Sequence, residues 1–153
     1  MSSKQPLTMI SYIGALPDKV WDTLMEPEGC KQLFFGSVLE SSLVAGEPYA
    51  YVGPGTDGDR TVHVYGTVLA CDRGKLFMFS EHPGPSYRSN HEELETRVSI
   101  SLEQVGNSTK LTLVNDQWPD NHPGYEKAGD SWATIISNLK TLAESGRTLD
   151  LGW

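Results

Sequence analysis

The chain is poor in cysteine, in cations and in long apolar runs, and each shortage excludes something. Its 153 residues include two cysteines, Cys30 and Cys71. They are far apart and form no CxxC pair, so they make neither a disulfide framework nor a metal or redox motif. Free, mostly buried thiols of a cytoplasmic protein are the expectation. No stretch approaches the roughly 20 apolar residues of a membrane span. The opening Met1-Ser2-Ser3-Lys4-Gln5-Pro6 leads into no apolar run, so no signal peptide is expected. Asn107-Ser108-Thr109 fits the glycosylation pattern but reads as a turn in a protein that is not secreted.

The 12 Lys and Arg are outnumbered by 20 Asp and Glu, for a net charge of −8. An acidic surface gains nothing from releasing the counterions of a phosphate backbone, which argues against nucleic acid. It is also repelled by anionic lipid, which argues against a membrane partner.

Motifs that carry chemistry are missing as well. Of the four histidines, His82 and His91 beside Glu92 and Glu93 come closest to a metal set. They flank a proline-glycine loop without ligand spacing, so no metal and no cofactor is expected. There is no GxSxG elbow and no Ser-His-acid order. The loop Gly53–Asp59 lacks the lysine of a phosphate loop and the distal glutamate of a calcium loop. No residue is assigned a catalytic role.

What is present is pattern. Leu7–Ile13 alternates partway and reads as a strand with both faces partly covered. Pro17 opens a helix that carries Val20, Trp21, Leu24 and Met25 at helical spacing, and Pro27 ends it. A second short helix is predicted over Glu28–Leu33. From Ser37 to Trp118 the period is two, in segments Ser37–Leu43, Tyr49–Gly53, Thr61–Ala70, Lys75–Glu81, Leu94–Val105 and Thr109–Trp118. Short turns between them make an antiparallel meander. From Pro123 to Ser145 the helical period returns as a stripe of Trp132, Ile135, Ile136, Leu139, Leu142 and Ala143, extended back by Tyr125, Ala128 and Gly129. Gly146 supplies the cap. No linker or repeat divides the chain, so residues 1–153 are read as one domain.

This order defines an α+β fold: a curved antiparallel sheet of six to seven strands gripping one long C-terminal helix, with two short helices after the first strand. A wide curve leaves a cavity that the helix cannot fill. The expected lining is Trp132, Ile135, Ile136 and Leu139 from the helix, and Val64, Val68, Met78, Val98, Ile100, Leu111 and Leu113 from the sheet. Trp21 from the first helix joins them. Asn115 shares parity with Leu111 and Leu113 and is the inward polar candidate. Glu81, Asn115, His63, Glu95 and Arg97 are strand polar groups that would orient a ligand or act as acid and base if they faced inward, but Glu95, Arg97 and His63 lie opposite the apolar set and are expected to face solvent. Trp118, His122 and Tyr125 fall near the mouth, where they either gate the cavity or anchor the start of the helix.

These residues carry a resemblance. Val20-Trp21-Asp22-Thr23-Leu24 after Pro17, Gly66-Thr67-Val68 leading to Lys75-Leu76-Phe77-Met78-Phe79, and Thr109-Lys110-Leu111-Thr112-Leu113 are similar to segments of the activator-of-Hsp90-ATPase-like (AHSA1-like) family. So are Gly129-Asp130-Ser131-Trp132, Asn138-Leu139-Lys140 and Glu144-Ser145-Gly146 in the closing helix. That family belongs to the START-like (SRPBCC, Bet v 1-like) superfamily, and the resemblance spans nearly the whole chain. It implies the helix-grip fold and a range of functions without a shared catalytic motif. Asn115 stands where many relatives carry histidine, and Ser80 where they often carry tryptophan.

The leading expectation is a noncatalytic protein that binds a small, largely apolar molecule. A cyclase or hydrolase using Asn115 is an alternative. The resemblance implies a third, a stress-response module that engages an Hsp90-type chaperone. A homodimer is a further expectation.

Overall fold

The computed structural model describes residues 4–56 and 58–152. Met1–Ser3 of the opening segment, Asp57 of the glycine loop and Trp153 at the end of the tail lie outside the described residues. The strands are β1 (Leu7–Ile13), β2 (Val38–Ser41), β3 (Pro48–Pro54), β4 (Arg60–Asp72), β5 (Leu76–Pro83), β6 (Thr96–Val105) and β7 (Ser108–Asp116). The helices are α1 (Pro17–Met25), α2 (Pro27–Leu33) and α3 (Tyr125–Ser145). A single 3-10 turn, His91–Glu93, precedes β6.

All strand pairs are antiparallel, in the order β1-β7-β6-β5-β4-β3-β2. Strands β2 to β7 form the meander, and β1 closes onto β7. The β6–β7 turn shows why short loops suffice. Val105 pairs with Ser108, and Gly106 takes φ +60° while Asn107 does not, the two-residue geometry whose twist matches the strands.

The helices begin and end where the chain's chemistry dictates. Proline opens both α1 and α2, where a missing N–H costs no hydrogen bond. Gly146 ends α3 in the left-handed region and returns its N–H to the Leu142 carbonyl at 2.8 Å. Both α1 and α3 press apolar stripes onto the concave face. Val20, Trp21 and Leu24 from α1 and Leu139, Leu142 and Ala143 from α3 meet Phe77, Ile100 and Leu111 from the sheet. This end of the grip is solid.

Three expectations about faces are corrected. In β1 one face is open: Ile10 and Tyr12 are 56% and 55% exposed, whereas Ile13 is buried. In β5 the inward residues are Phe77 and Phe79, which pair with Ile100 and Val98 of the buried face. Met78, expected in the cavity, therefore lies on the outer face opposite Ser99. In β4 two bulges break the parity: His63 is skipped between Tyr51↔Val64 and Val52↔Val62, and Leu69 between Val68↔Phe79 and Ala70↔Met78. Each bulge turns the strand by one residue and adds bend.

Candidate functional site

The other end of the grip is open. A pocket of about 650 Å³ lies between the N-terminal half of α3 and the sheet. Its helix wall is Ala128, Ser131, Trp132 and Ile135, and its sheet wall is Tyr51, His63, Val64, Glu81 and Asn115. The rim comes from three connections: Phe34 and Phe35 after α2, Pro54 to Thr56 after β3, and Tyr87 after β5. Trp118 and His122 close the side between β7 and α3.

The aromatic walls are held by an internal frame. Asn115 is fully buried at the inner end of β7. Its Oδ1 accepts from Trp132 Nε1 at 3.1 Å, its Nδ2 donates to the Arg97 carbonyl at 2.9 Å, and its own carbonyl accepts from Trp118 Nε1 at 2.9 Å. One residue thus sets both indoles. On the outer face Arg97 holds Asp116 through two contacts of 2.9 and 2.6 Å, which keep its guanidinium charged. Phe34 lies on Tyr51 with ring centroids 4.6 Å apart.

His63 owes its place to its bulge. The extra residue puts both His63 and Val64 on the pocket side, so the solvent-facing expectation for His63 is corrected. Its Nε2 lies 3.1 Å from the Pro54 carbonyl, which can only accept, so Nε2 carries the proton. Nδ1 lies 2.5 Å from the Tyr87 hydroxyl, in hydrogen-bond contact. The ring ties the two rim loops together.

Glu81 is different. It stands on the inward face of β5 in register with Thr96, and its carboxyl lines the pocket. It makes no hydrogen bond or ion pair with any described residue. Desolvation alone pushes its carboxyl up to about 7. Beside it, Thr96 Oγ1 is buried and also without a hydrogen-bond partner among the described residues. The neighbouring phenols of Tyr49 and Tyr51 are driven well above their ordinary values, chiefly by burial, so both stay neutral. Tyr49 donates to the Ser80 carbonyl at 2.7 Å, reaching it across Gly66, its partner in β4. Gly66 has to be bare, because a Cβ there would sit 2.1 Å from the Ser80 carbonyl oxygen.

Of the residues expected to line a cavity, Val64, Asn115, Trp118, Trp132 and Ile135 do face the pocket. Trp21, Val68, Val98, Ile100, Leu111, Leu113, Ile136 and Leu139 belong to the filled core. Tyr125 packs edge-on against Trp118 and donates to the Gln5 carbonyl, so it anchors the start of α3. Glu95 and His82 meet at 3.3 Å, and His82 stacks on Tyr65, whose hydroxyl bonds His91. The sequence pattern did not point to Tyr51 or Phe34; Glu81 was among the polar groups expected to orient a ligand if inward, and the structure places it on the pocket wall. The alternation of Phe77, Phe79 and Glu81 held the signal, since all three share a face. Among the described residues no cluster of His, Cys, Asp or Glu could hold a metal ion, and no helix is long and apolar enough to cross a membrane.

A curved seven-stranded antiparallel sheet closed on a C-terminal helix defines a helix-grip protein. The family profile described as activator of Hsp90 ATPase homolog 1-like protein matches residues 15–144, and the chain belongs to that family. A comparison with curated protein sequences found no significant match. Solved structures share the fold. The Aha1 dimer from Colwellia psychrerythraea superposes with a TM-score of 0.71 at 18% identity, over 94% of this chain and 99% of that one. CalU16 from Micromonospora echinospora gives 0.68 at 15% identity, over 95% and 78%. DynU16, a protein of the dynemicin biosynthetic locus, gives 0.70 at 20% identity; 95% of this chain matches 49% of that one.

Proposed function

We propose that the protein binds a small, largely apolar molecule in the pocket between the sheet and the N-terminal half of α3. The observation that carries this reading is the contrast between the two ends of one helix. Around Leu139 and Leu142 the grip is packed, while around Ala128, Trp132 and Ile135 about 650 Å³ is left open with aromatic and aliphatic walls. That volume is in the range of small-molecule sites. The wall indoles are already satisfied through Asn115, so they present apolar faces to an occupant. The amide of Asn115 is likewise committed at both ends, which favours binding over a reaction run by Asn115.

A neutral aromatic probe tests the reading. Naphthalenemethanol is expected to quench the tryptophan emission saturably, and Ala128→Trp, which fills the pocket from α3, is expected to abolish that binding while leaving the circular dichroism intact. Absence of saturable binding, or binding that survives Ala128→Trp, would overturn it.

A further inference from the structure

The pocket is apolar in its walls but not in its charge. Among the described residues Glu81 is the acidic side chain lining it, and no lysine or arginine lines it. The carboxyl makes no hydrogen bond or ion pair with any described residue. A half-buried carboxyl on an inward face without a counter-charge is unusual, because charged groups withdrawn from water are ordinarily paired. Burying a carboxylate without a counter-charge costs free energy that an incoming cation returns.

The surroundings select the sign of that partner. Phe34, Tyr51, Tyr87, Trp118 and Trp132 offer ring faces, whose quadrupoles attract cations. The other titratable groups lining the space, among the described residues, are Tyr51, His63, Tyr87 and His122, the last with its pKa lowered by burial and by the nearby Arg88. Tyr49 and Tyr51 are neutral phenols. The whole chain carries −8, which disfavours an anionic ligand on approach.

Building on the function proposed above, we infer that the ligand is an apolar molecule bearing a protonated amine, with its ammonium group seated against Glu81 and its skeleton between the indoles of Trp118 and Trp132. Carboxyl and amine are complementary in their chemistry. An alkyl ammonium stays charged at neutral pH. Its approach pulls the half-ionised carboxyl fully to the carboxylate. A charge-assisted hydrogen bond then forms inside an apolar enclosure, where it is stronger than in water.

Three isosteric probes separate the outcomes: naphthylmethylamine, naphthalenemethanol and naphthoic acid, titrated calorimetrically at pH 7.5. The amine is expected to bind at least about tenfold more tightly than the alcohol, and the acid more weakly than either. Glu81→Gln is expected to bring the amine-to-alcohol ratio close to one. Glu103→Gln, which removes the same charge from the exposed end of β6, is expected to keep the ratio. An amine bound no better than the alcohol, a preference that survives Glu81→Gln, or a preference lost equally in Glu103→Gln would each overturn the inference. If the alcohol itself fails to bind, the binding function proposed above fails, and this inference falls with it.

Discussion

Asn115 and Trp132 are joined across the interior by a 3.1 Å hydrogen bond from the indole nitrogen to the side-chain oxygen. The bond ties the last strand to the closing helix at the boundary between filled core and open pocket. Asn115 also bonds the Arg97 carbonyl, so its loss leaves two buried groups unpaired. Asn115→Ala is expected to destabilise the protein by about 2–3 kcal/mol. It should also shift the tryptophan emission to longer wavelength as Trp132 loosens. Urea unfolding and emission spectra check both outcomes.

Glu81 makes stability depend on pH. Its folded-state value of about 7 lies above the ordinary 4.5, so between these values the folded chain holds a proton that the unfolded chain has released. Stability therefore falls as pH rises through this window and levels off above it. The full shift corresponds to about 3 kcal/mol, and screening by the open pocket reduces this to roughly 1–2 kcal/mol. Glu81→Gln removes the dependence. Its melting temperature relative to wild type is expected to rise by about 3–6 °C from pH 5 to pH 8. A constant difference across that range would contradict the assignment.

Leu139 is 0% exposed where α3 meets the sheet. Leu139→Ala leaves a cavity in the packed end of the grip and is expected to cost about 3 kcal/mol. Ile135→Ala, on the same helix but facing a pocket that is already open, is expected to cost clearly less, since no closed cavity forms. Comparing the two by denaturant titration measures how differently the two ends are packed.

Gly66 lies against the Ser80 carbonyl, where a Cβ would approach to 2.1 Å. The obstacle is backbone rather than a flexible side chain, so β4 and β5 would have to separate. Gly66→Ala is expected to destabilise by about 3 kcal/mol or more, enough to lower soluble yield. Normal melting behaviour of this variant would show that the sheet can relax there.

The element order was readable in advance for simple reasons. The stripe of Trp132, Ile136, Leu139 and Ala143 repeats at helical spacing, and prolines and glycines mark its neighbours' ends. Alternation of Val98, Ile100 and Leu102 named the buried face of β6 without ambiguity, because the intervening residues are polar or small. Strand β5 had no such contrast. Leu76 and Met78 are as apolar as Phe77 and Phe79, so either face could have been the inner one.

The site suffered from that tie and from one more. Glu81 follows the face of Phe77 and Phe79, and with Met78 taken as inward the face of Glu81 stayed unsettled, although it stood among the polar groups expected to orient a ligand if inward. In β4 the bulge at His63 cancelled the parity rule where it was applied. A bulge is a feature of pairing between two strands, and nothing in one strand's own alternation announces it.

Periodicity, proline and glycine placement and charge are local properties, and they were enough to determine a helix-grip order of elements, an acidic surface and a helix that must be buried along one stripe. Which face of β5 turns inward, where β4 bulges, and which half of α3 is left uncovered depend on strand register and on how seven strands curve together. Those are relations between distant residues. They alone decided that the carboxyl of Glu81 stands in an aromatic pocket without a hydrogen bond to any described residue.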